Sequence, residues 1–367
     1  MTVNKKQKIT VAVLMGGQSS EHEISLISAC NVISAMDPEK YEIIPLGINR
    51  KGEWLLQDKD KPALNETDPK SVELSPGGKR VSFFPGDGTA SFKVDEETLG
   101  PIDCIFPVLH GPKGEDGTIQ GMLKLSGIPF VGCDVLSSAA CMDKDITKRL
   151  LSQAEIKNAE YLIAEKDGPD LHFKEAKESL GTPMFIKPAN QGSSIGVYKV
   201  RTEEEFESGM KQAFKFDTKL VVERGVEGRE IECSVLGNTR PVASLPGELI
   251  LSDDFYSFET KYISEDGAKL QIPAELEDEE LSALQKTAIA AYKALECSGL
   301  ARVDFFLTEE KEWMVNEINT LPGFTAISMY PQMWEASGIS YPELIDQLIE
   351  LALTRFQVIS QLKSAND

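Results

Sequence analysis

Four polar side chains near the C-terminus have the types and the spacing of a site for a metal ion and an anion. Residues 301–319 form two half-apolar runs around a charged centre, 309–312, and this pattern predicts a β-hairpin. If the hairpin is centred on Glu310 and Lys311, residue 304 opposes 317 and residue 302 opposes 319, and opposed residues share a face. That face then carries Arg302, Asp304, Glu317 and Asn319.

The opposite face of the predicted hairpin is apolar. It is expected to point toward a core with Val303, Phe305, Leu307, Met314 and Ile318. Three oxygen ligands beside one guanidinium suit Mg²⁺ that carries phosphate groups. The alternative is a charged face that is only solvated. The metal–phosphate interpretation is favoured because the first strand is otherwise apolar and a Leu-Pro-Gly turn follows the second.

A loop of small residues upstream could hold the phosphates. A predicted strand ends at Lys187, and the loop after it contains Gly192, Ser193, Ser194 and Gly196. Small residues let backbone N–H groups approach a phosphate closely, and a lysine supplies a point charge. An ordinary hairpin turn is the alternative. The sequence has no G-x-x-x-x-G-K-[S/T] loop, and no G-x-G-x-x-G follows its first strand, which argues against a nicotinamide enzyme.

Two further segments fit a nucleotide site without requiring one. Lys144 begins a predicted helix, 144–152, where its charge opposes the helix dipole. It either faces an anion or lies in solvent. The predicted strand 220–223 breaks at Gly225, so its edge could bind adenine or could simply cross between domains.

The loop at residues 16–23 joins the first predicted strand to a helix, 20–36. Ser20 and Glu23 have the spacing of a capping box, which gives Glu23 a structural explanation. Glu21 is either favoured by the helix dipole or positioned to hold a substrate ammonium at the edge of the sheet. His110 follows another predicted strand, 104–109, and faces the same crevice, where a loop histidine is either inert or part of a site.

Alternating strands and helices predict an α/β fold in which a doubly wound parallel sheet comes first. The expected divisions are an N-terminal domain at 1–140 with an irregular, short-stranded insertion at 49–100, a central lobe at 141–226, and a C-terminal lobe at 227–367. Within the last lobe, residues 252–266 are long and polar enough to be a lid, or else a passive surface loop.

Composition narrows the classes of partner. The 367 residues have a formal net charge of −21 and are 41% hydrophobic, so the chain is globular, and nucleic acid or an anionic membrane is disfavoured as a partner. No apolar run approaches the ~18 residues of a membrane span, and the start lacks a secretory apolar region. Six scattered cysteines without metal-ligand spacing predict buried thiols in a reducing cytoplasm.

Taken in order along the chain, these motifs resemble the D-alanine–D-alanine ligases of the ATP-grasp superfamily, and the resemblance covers essentially the whole chain. It rests on Gly-Gly-Gln-Ser-Ser-Glu-His-Glu-Ile-Ser-Leu at 16–26, His-Gly-Pro-Lys-Gly-Glu-Asp-Gly-Thr-Ile-Gln-Gly at 110–121, Met-Asp-Lys at 142–144, Lys-Pro-Ala-Asn-Gln-Gly-Ser-Ser-Ile-Gly at 187–196, Arg-Val-Asp at 302–304 and Asn-Glu-Ile-Asn-Thr-Leu-Pro-Gly-Phe-Thr at 316–325. It implies a two-lobed ATP-grasp fold after the N-terminal domain.

The resemblance also implies the nucleotide contacts. Two Mg²⁺ ions, or Mn²⁺, would bridge the ATP phosphates and be held by Asp304, Glu317 and Asn319. Phosphate oxygens would meet Lys144, Lys187 and Lys261 under the loop of Gly192, Ser193 and Ser194. Adenine would lie along the edge formed by Glu223, Arg224 and Val226, and the ribose hydroxyls would bind Glu230.

For the amino acids, the resemblance implies that Glu21 holds the ammonium of the first D-alanine. Glu21, Ser193 and Tyr262 would form a hydrogen-bonded triad, His110 would line the substrate site, and Ser328 would bind the carboxylate of the second D-alanine. The oxyanion site would consist of Arg302 and the backbone N–H of Gly323.

The implied reaction is ATP-dependent synthesis of D-alanyl-D-alanine for peptidoglycan, through an acyl phosphate, by a cytoplasmic homodimer. Tyr262 favours an amine acceptor, because the related D-lactate ligases tend to lack tyrosine at that place. Two alternatives stay open: a ligase of the same fold that uses D-lactate or D-serine, and a catalytically silent, ATP-binding regulatory module.

Overall fold

The computed structural model of the protein describes residues 8–86, 88–251 and 268–363. Its strands fall mainly into a first, a second and a third sheet along the chain. Tyr262, Lys261 and the expected lid at 252–266 lie outside the described residues.

The first sheet is built around three parallel strands. Its strands are β1 (Ile9–Gly16), β2 (Tyr41–Ile48), β3 (Trp54–Leu56), β6 (Lys79–Phe83), β7 (Phe92–Val94), β8 (Glu97–Thr98) and β9 (Cys104–Val108), in the order β8-β7-β6-β3-β2-β1-β9, and β4 (Ala63–Leu64) and β5 (Glu73–Leu74) form a separate ribbon. β1 is parallel to both β2 and β9. The strands at 49–100 that join this sheet extend it with antiparallel pairs. The predicted α/β fold is confirmed, and the short strands of the insertion belong largely to its main sheet.

Helix α1 (His22–Ala35) lies between β1 and β2. After β9 come α2 (Thr118–Ser126), α3 (Val135–Met142) and α4 (Lys144–Gln153), whereas α5 (Phe173–Leu180) and α6 (Glu203–Ala213) lie between strands of a second sheet. A 3₁₀ turn spans Gly88–Ala90. The second sheet consists of β10 (Tyr161–Glu165), β11 (Met184–Pro188), β12 (Tyr198–Val200) and β13 (Lys219–Arg224), in the antiparallel order β10-β13-β11-β12. Its core buries Met184, Ile186, Phe206, Leu220 and Val222.

The third sheet carries the predicted hairpin. It comprises β14 (Arg229–Gly237), β15 (Val242–Ala243), β16 (Gly247–Leu251), β17 (Ala268–Gln271), β18 (Gly299–Leu307) and β19 (Trp313–Asn319), in the antiparallel order β17-β16-β14-β18-β19 with β15 beside β14. The helices of this region are α7 (Asp278–Ala294), α8 (Met329–Ala336) and α9 (Tyr341–Ser360). Helix α9 packs its buried Leu344, Ile345 and Leu348 into the core of the first sheet, so the last helix joins both ends of the chain.

The register of the hairpin confirms the predicted pairs. Arg302 opposes Asn319 and Asp304 opposes Glu317. A β-bulge follows Asp304, so Phe305 pairs with Val315, and Asn316 is an extra residue of β19. Because Phe305 pairs with Val315, the turn is centred on Glu310, whereas the predicted centre lay between Glu310 and Lys311.

The bulge also corrects one predicted core residue. Met314 pairs with Phe306 rather than facing the core, because the extra residue reverses the alternation of β19 before it. Trp313 and Val315 are buried in its place, together with Phe305 and Ile318.

The six cysteines are buried and free, as the sequence predicted. Among the described residues, no helix is both long enough and apolar enough to cross a membrane.

Two adjacent phenylalanines of β18 lie on opposite faces of the hairpin, so substituting each of them tests which face points to the core. Phe305 is 2% exposed and its ring lies 5.9 Å from that of Trp313, whereas Phe306 lines the cleft on the other face. Phe305→Ala is expected to lower the free energy of unfolding by about 3–5 kcal/mol, because it opens a cavity in the core. Urea unfolding should find a clearly smaller loss for the control, Phe306→Ala, and equal losses would contradict the assigned faces.

Candidate active site

Two adjoining cavities, of about 600 and about 520 Å³, open where the three sheets approach one another. They share the loop residues Gly192 and Ser193 and the third-sheet residues Glu232, Leu249 and Glu317. A ligand group in one cavity would therefore lie next to a ligand group in the other.

The larger cavity collects every described residue that was predicted to bind ATP. Its lining includes Lys144, Lys187, Gly192, Ser193, Ser194, Glu223, Arg224, Val226 and Glu230, and also Asp304 and Glu317 of the predicted metal site. These residues come from α4, from the second and third sheets and from the loop after β11. The cavity is polar and contains both cationic and anionic groups, which suits a nucleotide triphosphate and its metal ions.

A buried carboxylate in this cavity is held by two lysines. Glu223 receives Nζ of Lys148 on Oε1 and Nζ of Lys187 on Oε2, each at 2.5 Å. Burial alone would raise the pKa of Glu223, but the two ammonium groups lower it to about 2. Burial alone would lower the pKa of Lys187, and the Glu223 carboxylate raises it instead. Both Glu223 and Lys187 are therefore charged at neutral pH.

Lys144 begins α4 and points its ammonium group into the cavity. Its Nζ donates to the carbonyl oxygen of Gln191 at 2.6 Å and lies 3.8 Å from Oε2 of Glu317. Burial lowers its pKa, against the opposing effect of Glu317. The unfavourable helix dipole is offset because the Asp143 side chain caps the N-terminus of α4.

The hairpin face is a compact set of opposite charges. Nε and Nη2 of Arg302 each donate to Asp304 at 2.7 Å, and Nε also lies 2.9 Å from Glu232. Nδ2 of Asn319 donates to Oδ2 of Asp304 at 2.9 Å. Burial alone would lower the pKa of Arg302, but the carboxylates of Asp304 and Glu232 raise it well above its usual value. The guanidinium is permanently charged and rigidly held.

The predicted metal ligands fit a hard cation in their chemistry. Asp304 and Glu317 supply carboxylate oxygens and Asn319 supplies an amide oxygen, a set that suits Mg²⁺ with phosphate and water oxygens completing its shell. Within the described ranges, no group of three or more His, Cys, Asp or Glu side chains could bind a metal by itself.

The smaller cavity joins the first sheet to the glycine–serine loop. The Ser193 hydroxyl donates to Oε1 of Glu21 at 2.6 Å, across 172 residues of sequence. Ser193 and Ser194 have left-handed φ angles of 51° and 57°, which are uncommon for residues other than glycine and mark a specific loop shape. The structure thus brings together two members of the predicted triad, and the third, Tyr262, lies outside the described residues.

The predicted capping box at the start of α1 is wrong. The helix begins at His22, Glu21 occupies the N-cap position, and the structure gives that position no side-chain cap. The Glu23 carboxylate instead receives Nη2 of Arg50 at 2.5 and 2.7 Å. Arg50, 27 residues away, is an ionised partner for the Glu23 carboxylate, whereas a capping box would offer it only a neutral backbone N–H.

His110, which is buried, and Glu115, which is half-buried, both line the smaller cavity. Nδ1 of His110 lies 3.0 Å from the carbonyl oxygen of Leu321, which fits a neutral ring that donates there. Burial lowers the pKa of His110, against an opposing effect of Glu21. Burial and the Glu21 charge raise the pKa of Glu115 well above its usual value. Both groups are thus favoured in their neutral forms.

The turn after β19 completes the smaller cavity, which Arg302, Gly323 and Ser328 all line. Oγ of Ser328 accepts from the backbone N–H of Thr325 at 3.0 Å. A Cβ atom at Gly323 would lie only 3.1 Å from that hydroxyl oxygen, so a side chain there would crowd the turn. The predicted substrate residues are therefore neighbours in one cavity.

Four residues in or beside these cavities were missed by the sequence analysis: Glu115, Lys148, Glu232 and Asn316. Two had usable signals. Lys148 follows Lys144 by four residues and therefore lies on the same face of α4, and Glu232 follows Glu230 by two residues in a strand and therefore shares its face. Asn316 depends on the bulge, for which the sequence has no clear signal.

The three sheets and the paired cavities define a protein of the ATP-grasp class, since solved structures of that fold superpose on nearly the whole chain. Residues 10–133 match the family model of the D-ala D-ala ligase N-terminus, and residues 150–350 match that of the D-ala D-ala ligase C-terminus. The chain belongs to the D-alanine–D-alanine ligase family.

Individual relatives agree with this assignment. A D-alanine–D-alanine ligase of Oceanobacillus iheyensis is 53% identical, over 98% of this chain and 99% of the relative. The D-alanine–D-alanine ligase of Coxiella burnetii superposes with a TM-score of 0.85 at 39% identity, over 97% of each chain. The VanG D-Ala:D-Ser ligase of Enterococcus faecalis gives 0.84 at 39% identity, over 94% of this chain and all of that one. The Bacillus anthracis ligase in complex with ATP gives 0.72 at 31% identity, over 96% and 99%.

The low pKa of Glu223 predicts a loss of stability in acid. The carboxylate is charged in the folded protein down to a pKa of about 2, against a reference value of 4.5, so its contribution is complete above pH 4.5 and is lost as the pH falls toward 2. Unfolding experiments between pH 7 and pH 2.5 should show Glu223→Gln less stable than the parent at pH 7, with a gap that narrows in acid by up to roughly 3 kcal/mol.

Glu207→Gln, a change at an exposed position of α6, is the matched control. Its difference from the parent should vary far less over the same pH range. A gap for Glu223→Gln that stays constant or widens in acid would contradict the ion-pair assignment.

Proposed function

We propose that this chain joins two D-alanine molecules into D-alanyl-D-alanine and converts ATP to ADP and phosphate, through a D-alanyl phosphate intermediate. One observation carries the proposal. A lysine-lined cavity of nucleotide size adjoins a smaller cavity that holds a carboxylate, Glu21, and a rigid guanidinium, Arg302. Membership of the D-alanine–D-alanine ligase family supports the identity of the substrates.

We assign ATP to the larger cavity. Lys144, Lys187 and Lys261 bind phosphate oxygens, and backbone groups of Gly192, Ser193 and Ser194 cover them. Adenine lies along the edge of Glu223, Arg224 and Val226, and Glu230 binds the ribose. The positive groups offset the repulsion between the triphosphate and an incoming carboxylate, which matters in a chain with a net charge of −21.

We assign two Mg²⁺ ions, or Mn²⁺, to Asp304, Glu317 and Asn319. When bound, the ions supply positive charge to the phosphates that take part in transfer. Two observations support this assignment. The three side chains offer oxygen ligands, and a hydrogen bond holds Asn319 beside Asp304.

We assign the two amino acids to the smaller cavity. Glu21 binds the ammonium group of the first D-alanine and is oriented by the Ser193 hydroxyl. Ser328 binds the carboxylate of the second D-alanine, and His110 lines the site as a neutral ring. Arg302 and the backbone N–H of Gly323 face the reacting carbonyl.

In the first step, a carboxylate oxygen of the first D-alanine attacks the γ-phosphorus of ATP, and ADP leaves. In the second step, the neutral amine of the second D-alanine attacks the acyl carbon. Arg302 and the Gly323 N–H stabilise the negative charge that develops on the carbonyl oxygen, and inorganic phosphate then leaves. Losing one such donor typically slows a reaction by about 100- to 1000-fold.

Acyl phosphates react with water, so the site must be closed during the reaction. We assign this role to residues 252–266, with Tyr262 completing the triad of Glu21 and Ser193. Tyr262 also favours an amine over D-lactate as the acceptor.

A second candidate is a ligase for D-alanine and D-serine. The observation in its favour is that the VanG D-Ala:D-Ser ligase superposes about as well as a D-alanine–D-alanine ligase. The fold therefore does not determine which acceptor is used. The residues that contact the second substrate in the smaller cavity must determine it. A silent regulatory module is disfavoured, because it has no need of the complete set of Arg302, Asp304, Glu317, Asn319, Lys144 and Lys187.

We further propose three domains, 1–140, 141–226 and 227–367, in a homodimer that works in the cytoplasm on peptidoglycan precursors. The division of strands among the three sheets supports these boundaries.

The purified protein with Mg·ATP and D-alanine is expected to release phosphate and form the dipeptide in equal amounts. D-serine and D-lactate, offered as second substrates at equal concentration, are expected to give much less product. The absence of D-alanine-dependent phosphate release would refute the proposal. A preference for D-serine or D-lactate would instead identify a ligase of the same fold that uses that acceptor.

Asp304→Asn is expected to reduce turnover at least ~1000-fold, because it replaces a charged metal ligand with a neutral one beside the phosphates. The fold should persist, since Glu232 still pairs with Arg302. Phosphate release and the melting temperature should be measured together. An inactive variant that is also unfolded would show that the hairpin face is structural. Glu310→Gln, in the turn of the same hairpin, is the control and should remain active.

A further inference from the structure

A buried lysine beneath the larger cavity has no role in the chemistry proposed above. The Lys148 side chain is 2% exposed. Its Nζ contacts Glu223 at 2.5 Å and the carbonyl oxygen of Ala159 at 3.3 Å, and lies 5.4 Å from the Tyr161 ring centroid. An ammonium group is costly to bury even when it is paired, so its position calls for an explanation.

The carboxylate of Glu223 is shared between two cations. One oxygen contacts Lys148 and the other contacts Lys187. Two positive charges therefore contact one negative charge. Either lysine could move away and still leave the buried Glu223 carboxylate with one cationic partner. The two lysines differ in access: Lys187 is 15% exposed and lines the cavity, whereas Lys148 is sealed below it.

The geometry of α4 produces this arrangement. Lys144 and Lys148 are four residues apart and therefore lie on one face of the helix. The first ammonium group enters the cavity beside Glu317, and the second reaches Glu223 one turn further along. The same helix thus supplies one cation to the cavity and one to the carboxylate beneath it.

We propose that Lys148 is a positioning residue that keeps Glu223 neutralised, so that Lys187 can turn from Glu223 toward the phosphate groups of a bound nucleotide. The inference rests on the nucleotide site proposed above. Without Lys148, Lys187 and Glu223 would form a one-to-one buried ion pair. Moving Lys187 to the nucleotide would then leave a buried carboxylate without a cation, which is strongly unfavourable.

The test compares the affinity for the β,γ-imido analogue of ATP, in the presence of Mg²⁺, with the affinity for adenosine, both measured by calorimetry. The ratio of the two affinities isolates the contribution of the phosphates and cancels any change in the contacts to adenine. Lys148→Met is expected to lower this ratio at least about tenfold. The double variant Lys148→Met/Glu223→Gln should recover the ratio of Glu223→Gln alone, because no carboxylate then holds Lys187.

Arg149→Met is the matched control. Arg149 is the next residue of α4, its side chain is 63% exposed, and it pairs with Asp145 rather than with Glu223. Its substitution should leave the affinity ratio unchanged. If Lys148→Met does not fold, Lys148→Gln removes the charge and keeps a hydrogen-bond donor, and the same loss is expected.

Two results would overturn the inference: a folded Lys148 variant whose ratio lies within about twofold of the parent, or a double variant as impaired as Lys148→Met. A purely structural role for Lys148 would lower the melting temperature and leave the ratio intact. Failure of the proposed function is distinguishable, because the parent protein would then bind neither the analogue nor Mg·ATP.

Discussion

Contacts between buried opposite charges hold the site together. Glu223 is bound by two lysines, and Arg302 is bound by Asp304 and Glu232. The Glu223 pairs join α4 to the second sheet, and the Arg302 pairs join two strands of the third sheet. Lys144 of α4 lies 3.8 Å from Glu317 and so links the helix to the third sheet. Because Glu223 and Arg302 each have partners of opposite charge, neither needs to be neutralised by a shift in its protonation state. A chain with a net charge of −21 can therefore keep charged lysine side chains in a cavity that suits an anionic nucleotide.

The β-bulge of the β18–β19 hairpin lets one strand serve both the core and the larger cavity. Val315 and Ile318 face the core, while the two residues between them, Asn316 and Glu317, line the cleft together. A regular strand would have given one of these two positions to the core. The bulge thus brings the amide of Asn316 to 3.4 Å from the ammonium group of Lys187, beside a predicted metal ligand.

Local patterns in the sequence predicted the elements that carry the site well. The alternation of polar and apolar residues predicted the pairing of Asp304 with Glu317, and the order of the motifs along the chain predicted the family. The predicted capping box of α1 was wrong, and a distant arginine, Arg50, binds Glu23 instead. The prediction that Met314 faces the core was wrong because a bulge reverses the alternation of β19. The spacing of Lys148 from Lys144 places it on the same face of α4, but its partner, Glu223, is 75 residues away, and sequence spacing does not reveal that contact.

We propose that the two cavities act in one reaction, in which a phosphoryl group passes from ATP in the larger cavity to the carboxylate of D-alanine in the smaller one. The most direct measurement uses D-alanine labelled with ¹⁸O in its carboxylate and analyses the phosphate released during turnover by mass spectrometry. Transfer through an acyl phosphate predicts one ¹⁸O atom in each phosphate formed. Phosphate without ¹⁸O, released together with dipeptide, would contradict the account.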